Sequence, residues 1–127
     1  MESIDVDFDA PKVIVDYAHT PDALENVLKT LKELKNQNQQ LYVVFGAGGD
    51  RDTTKRPEMA EVCERIADEI IVTSDNPRRE NPDLIIADIL QGFTKTDNVS
   101  SITLREEAIN TAIKRASNND ILARPNL

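Results

Sequence analysis

Tryptophan is absent from the 127 residues, and phenylalanine and tyrosine number only three and two. A core therefore cannot rest on stacked rings and must be packed from Ile, Leu, Val and Ala, which favours aliphatic α/β layers. Cysteine occurs once, at Cys63, excluding an intrachain disulfide and a cysteine-rich zinc site. Between Val62 and Glu64 in a helical pattern it reads as a small buried apolar side chain. Histidine also occurs once, at His19. Residues 1–10 carry four acids and no apolar run, so neither a signal peptide nor a membrane anchor is expected there, and the cytoplasm is the expected location.

Positive charge is likewise scarce. Fifteen Lys and Arg face 23 Asp and Glu, a net charge of −8, with a pI near 4.6. A surface of that sign repels nucleic-acid backbones and anionic membranes. Arg51, Lys55, Arg56, Arg78 and Arg79 nevertheless fall in two short segments. They make one cationic site if the fold brings the segments together, and two solvated charge runs if it does not. The length suits a single domain with its own core, and no internal repeat or linker divides it.

Three of the four glycines fall within residues 46–49. They follow an apolar run, Leu41, Tyr42, Val43, Val44 and Phe45, and precede Asp50, Arg51 and Asp52. This reads as a buried strand delivering a glycine-rich loop, closed by Pro57 in the first turn of a helix. Glycines so spaced permit positive φ and leave backbone amides open to a ligand. The spacing is neither the dinucleotide fingerprint nor the phosphate-binding P-loop.

Two further corners share this design. Residues 12–16 read as a strand carrying Asp16 to the rim of a sheet, followed by Tyr17 and His19, with Thr20 as N-cap and Pro21 as the first residue of a helix on Leu24, Val27, Leu28, Leu31 and Leu34. Met59, Val62, Cys63, Ile66 and Ala67 mark a second helix, and residues 69–73 a third strand ending in Ser74, Asp75, Asn76, Pro77, Arg78, Arg79 and Glu80. Pro77 pins that turn. An Asn beside an Arg there suits a zwitterion, the guanidinium forking onto a carboxylate and the amide oxygen accepting from an ammonium. Asn81 and Pro82 restart a helix on Leu84, Ile85, Ile86, Ile89 and Leu90 that stops near Gly92. Residues 99–103 give a fourth strand, Thr103 and Glu106 a capping box for a last helix on Ala108, Ile109, Ala112, Ile113 and Ala116, and residues 120–123 the start of a fifth strand. The alternation predicts an α/β, Rossmann-like three-layer domain, a mostly parallel sheet with helices on both faces, its three polar corners on one edge.

Taken together, Asp16, Tyr17, Ala18, His19, Thr20 and Pro21, then Gly48, Gly49, Asp50, Arg51 and Asp52 with Lys55, Arg56 and Pro57, then Asp75, Asn76, Pro77 and Arg78 resemble the C-terminal domain of the Mur ligases, and within them the diaminopimelate-adding members. The likeness runs from about Lys12 to about Leu122. It implies that residues 1–127 are the last of three domains of a cytoplasmic, ATP-dependent ligase of peptidoglycan synthesis, whose UDP-sugar and central ATPase domains lie outside this chain. In that family ATP and Mg²⁺ activate a carboxylate of UDP-MurNAc-L-Ala-D-Glu as an acyl phosphate, which the amine of meso-diaminopimelate attacks.

By the same resemblance Arg51, Asp75, Asn76, Pro77 and Arg78 would bind meso-diaminopimelate, Arg78 meeting the second carboxylate that lysine lacks. Asp16, Tyr17 and His19 would lie near the nucleotide's ribose and base, and Lys55 and Arg56 would either meet phosphate or brace the loop. No catalytic residue or metal ligand is implied in the chain. The family pattern continues past the last strand with Gly-Lys-Gly-His-Glu, whose Gly and Glu complete the pocket. Here Leu122 runs into Ala123, Arg124, Pro125, Asn126 and Leu127, so the pocket is expected to be incomplete and the isolated chain not catalytic. The alternatives are a stand-alone binding module of the same fold and a domain of a folylpolyglutamate-type ligase, the turn at 75–78 arguing against the latter.

Overall fold

A computed structural model of the chain describes residues 4–6, 13–15, 20–35, 37, 39–48, 54–75, 79–115 and 121–125, the strands at 4–6, 13–15 and 121–125 as backbone. In chain order the elements are β1 (Ile4–Val6), β2 (Val13–Val15), α1 (Pro21–Leu34), β3 (Leu41–Phe45), α2 (Lys55–Ile66), β4 (Glu69–Val72), α3 (Pro82–Leu90), β5 (Val99–Ser101), α4 (Arg105–Arg115) and β6 (Ile121–Pro125). They form a six-stranded sheet in the order β1-β2-β6-β3-β4-β5. All neighbouring pairs are parallel except β1 with β2, which is the mostly parallel layering predicted by the alternation.

Sequence pattern explains why the middle of this sheet is dry. All five residues of β3 are buried, and they alternate between two cores. Leu41, Val43 and Phe45 join Leu24, Leu28, Leu31, Met59, Cys63, Ile85 and Ile89, whereas Tyr42 and Val44 join Ile71, Ala108 and Ala112. A strand covered on both faces must be apolar at every position, not at every second one. The two cores follow from chain direction. From β2 through β3 and β4 to β5 each crossover advances the same way across the sheet, and right-handed crossovers place α1, α2 and α3 on one face. The step from β5 to β6 goes back, so α4 lands on the other.

Local capping is as the residue types require. Thr20 Oγ1 accepts from the Ala23 amide at 3.1 Å with Pro21 opening α1, and Asn81 Oδ1 accepts from the Asp83 amide at 2.8 Å with Pro82 opening α3. Pro57 is the third residue of α2, which begins at Lys55. The expected capping box at Thr103 is replaced by a longer reach: Thr103 Oγ1 donates to Asp83 Oδ1 at 2.6 Å, and α4 begins two residues later at Arg105. Leu34, Leu84 and Ile113, expected on apolar faces, are exposed. β1 was not expected from its acidic stretch; the strand expected to start within residues 120–123 runs from Ile121 to Pro125, with Arg124 opposite Ile14 and Pro125 opposite Val15.

Two glycines are required by proximity. A Cβ on Gly46 would stand 2.3 Å from the Thr73 carbonyl oxygen, and one on Gly92 would stand 2.3 Å from that of Pro57. Neither backbone is left-handed, so Gly46 serves close strand contact and not the positive φ expected of the loop. Gly92 lets the end of α3 touch the start of α2. Beside it, Glu64 on α2 accepts at 2.9 Å from the amides of Thr94 and Lys95 and from Thr94 Oγ1. The Lys95 amide, foremost, holds this carboxyl below its usual 4.5.

Gly92→Ala should lower stability by about 1–3 kcal/mol, because backbone and not a side-chain tip must give way; an unchanged urea midpoint would contradict the contact. Since the folded-state pKa of Glu64 is depressed, its contribution is complete above about pH 4.5 and is lost as the pH falls through the folded value. The difference in melting temperature between Glu64→Gln and the parent should be present at pH 7 and shrink as the pH falls below 4.5.

Candidate functional site

The loops that leave β3 and β4 start side by side. Phe45 and Val72 are register partners in parallel strands, and Thr73 N–H donates to the Phe45 carbonyl at 2.8 Å. β2, parallel through β6, ends at Val15 on the same edge. The strand ends that precede all three polar corners therefore share one rim, where open parallel sheets hold ligands.

Arg56 organises this rim. It lies in the first turn of α2 with its side chain 2% exposed. Its guanidinium forks onto Glu80, Nη1 to Oε2 at 3.1 Å and Nη2 to Oε1 at 2.9 Å. Nη1 also donates to Asp88 Oδ2 at 2.9 Å, and Nη2 to the Gly48 carbonyl at 3.3 Å. The fork to Glu80 raises the Arg56 pKa above its usual value, with Asp88 adding to it against the opposing effect of burial. Arg56 thus joins Gly48, Glu80 and the last turn of α3.

A second set of contacts steadies the start of that turn. Thr73 is fully buried and its hydroxyl donates to the Thr103 carbonyl at 3.3 Å, while Arg105 Nη1 reaches the Ser74 carbonyl at 3.4 Å. Of the residues singled out in the sequence, Asp75 is half-buried just past β4 and Lys55 is exposed at the start of α2. Arg51, Asn76, Pro77 and Arg78, and Asp16, Tyr17 and His19, lie outside the described residues. Glu80, Asp88, Thr73 and Arg105 were not singled out. A signal existed for their hub, since Arg56 lies three, four and seven residues before the buried Met59, Ala60 and Cys63 and so shares their helix face. Among the described residues no three His, Cys, Asp or Glu side chains converge to hold a metal ion, and no helix is long and apolar enough to cross a membrane.

Residues 1–123 match the family described as Mur ligase, glutamate ligase domain. The chain belongs to this family. Mur ligase relatives named UDP-N-acetylmuramoyl-L-alanyl-D-glutamate--2,6-diaminopimelate ligase include that of Pseudomonas putida, 53% identical over 90% of this chain and 23% of the relative. That of Fusobacterium nucleatum is 52% identical over 87% of this chain and 23% of the relative. The chain thus spans about a quarter of the length of the curated relatives it matches. A solved structure of a ligase of that name superimposes with a TM-score of 0.83 at 42% identity, covering 98% of this chain and 25% of the other. The folylpolyglutamate synthase/dihydrofolate synthase of Yersinia pestis shares the fold at 16% identity, with a TM-score of 0.68 over 91% of this chain and 26% of its own.

Arg56→Met should destabilise the chain by about 2 kcal/mol, because it strips a dry cation from Glu80 and Asp88, which at 31% and 43% exposure regain only part of their hydration. Asp88→Asn should cost less than about 1 kcal/mol, as befits a partner open to water. Urea unfolding of both variants checks the ranking; equal losses would contradict it.

Proposed function

We propose that this chain is the amino-acid-recognising C-terminal domain of an ATP-dependent, cytoplasmic ligase that adds meso-diaminopimelate to UDP-MurNAc-L-Ala-D-Glu in peptidoglycan synthesis. The observation that carries the reading is the 53% identity over 90% of the chain to a ligase named for that substrate. The residues give it a chemical reason. Arg51 and the turn Asp75, Asn76, Pro77 and Arg78 would hold the amino acid, with Arg78 forking onto its second carboxylate. Lysine would leave that guanidinium unpaired, so the pocket selects by the penalty on a lone charge as well as by attraction.

The remaining parts divide between this domain and the other two, absent from these 127 residues. ATP with Mg²⁺ supplies the activation of the carboxylate, and we assign no metal ligand here. Lys55, exposed at a helix start, is the side chain of the pair open to a phosphate. Arg56, with both terminal nitrogens given to protein oxygens, fits the bracing role. Asp16, Tyr17 and His19 would approach the ribose and base. The folylpolyglutamate-type alternative is supported only by fold, at 16% identity, and nothing favours a stand-alone module.

ADP release by the full-length protein should depend on meso-diaminopimelate and be far weaker with lysine. Arg78→Ala should raise the KM for diaminopimelate on the order of 10²-fold or more. Equal use of lysine, or an unchanged KM, would remove Arg78 from the pocket.

A further inference from the structure

We infer that Arg56, Glu80 and Asp88 form a positioning cluster that fixes Gly48 against Glu80, and through the residues adjoining them in sequence sets the affinity for the amino acid. The inference rests on the pocket proposed above. Its basis is the pattern of acceptors. Arg56 Nη2 is shared by the Gly48 carbonyl and Glu80 Oε1, at 3.3 and 2.9 Å, so one nitrogen ties the segment after β3 to the segment after β4. In sequence Gly48 stands three residues before Arg51, and Glu80 two residues after Arg78.

Direction is fixed as well as distance. The planar fork on Glu80 sets the plane of the guanidinium, and Asp88, bonded to Nη1 at 2.9 Å from the body of α3, keeps it from turning when either loop shifts. With 2% of its side chain exposed, the Arg56 charge is itself little screened. The start of the turn is tied separately, through Arg105 and the Ser74 carbonyl. Ser74 and Glu80 are thereby each held by a different arginine. Helix-to-helix stability would have needed only Arg56 and Asp88. Glu80 and Gly48 bring in the loops, and a lysine at 56, lacking the fork, could not span all three acceptors.

The test is steady-state kinetics on the full-length protein carrying Glu80→Gln, in which an amide NH₂ faces the guanidinium and breaks the fork. The KM for meso-diaminopimelate should rise about 10-fold, while kcat and the KM for ATP stay within about 2-fold, as misplacement without lost chemistry predicts. A folded variant with unchanged diaminopimelate KM, or one that loses kcat alone, overturns the inference. Asp88→Asn, at a position 43% exposed, carries the same measurement if Glu80→Gln does not fold. Arg78→Ala run beside them separates the two readings. No effect there sinks the pocket; a raised KM there with Glu80→Gln silent sinks only the positioning cluster. A parent without diaminopimelate-dependent ADP release sinks both.

Discussion

A guanidinium withdrawn from water must be compensated within the protein, and Arg56 is compensated by residues from separate parts of the chain. Glu80 lies 24 residues away and Asp88 32, so the charge is neutralised only when α2, α3 and the segment after β4 have all assembled. A buried pair of this kind adds little to net stability once desolvation is counted, but it penalises every arrangement in which one partner is displaced. That is how Gly48 and Glu80, which lie in no helix or strand, are held in defined positions beside the sheet. Its neighbours serve the same end: Gly46 permits β3 and β4 to stay in contact past their last ladder bonds, and Gly92 lets the helices that carry Arg56 and Asp88 close on each other.

The sheet gives this rim its polarity. Because β2, β6, β3, β4 and β5 all run one way, these five strands all end on the same edge, and variation beyond their ends leaves the aliphatic layers alone. The division of labour is visible in composition. Aliphatic side chains make up most of both cores, whereas Arg56 and Glu80 meet beside the ends of β3 and β4.

What could be read from sequence was what is decided locally. Thr20 with Pro21 and Asn81 with Pro82 cap helices through bonds spanning two or three residues, and five successive apolar residues declare β3. Long-range partners were hidden. Thr103 and Glu106 have the spacing of a capping box, yet the hydroxyl of Thr103 goes to Asp83, 20 residues earlier. Arg124 and Pro125 carry no strand pattern, and they are extended because β2 lies alongside to pair with them. Arg56 had the periodicity of a buried residue, but a charge at such a position cannot be assigned its counter-ions by spacing alone. From Asn76, Pro77 and Arg78 the segment was expected to suit a zwitterion, and only the resemblance specified which amino acid that would be.

The strand β6 occupies the interior of the sheet although it is the last of the described elements, and among the described residues it is what bridges β2 to β3. During synthesis from the N-terminus, β3, β4 and β5 can pair as each emerges, but β1 and β2 have nothing to dock against until the polypeptide has grown past residue 121. The intermediate so formed bares two adjacent strand edges, one on the hairpin of β1 and β2 and one on β3. Such edges invite pairing with the wrong partner, and closing the gap brings together segments more than 100 residues apart, an entropic delay characteristic of non-local parallel pairing. Nascent chains of this architecture thus have a window of vulnerability to aggregation that ends only with insertion of the final strand.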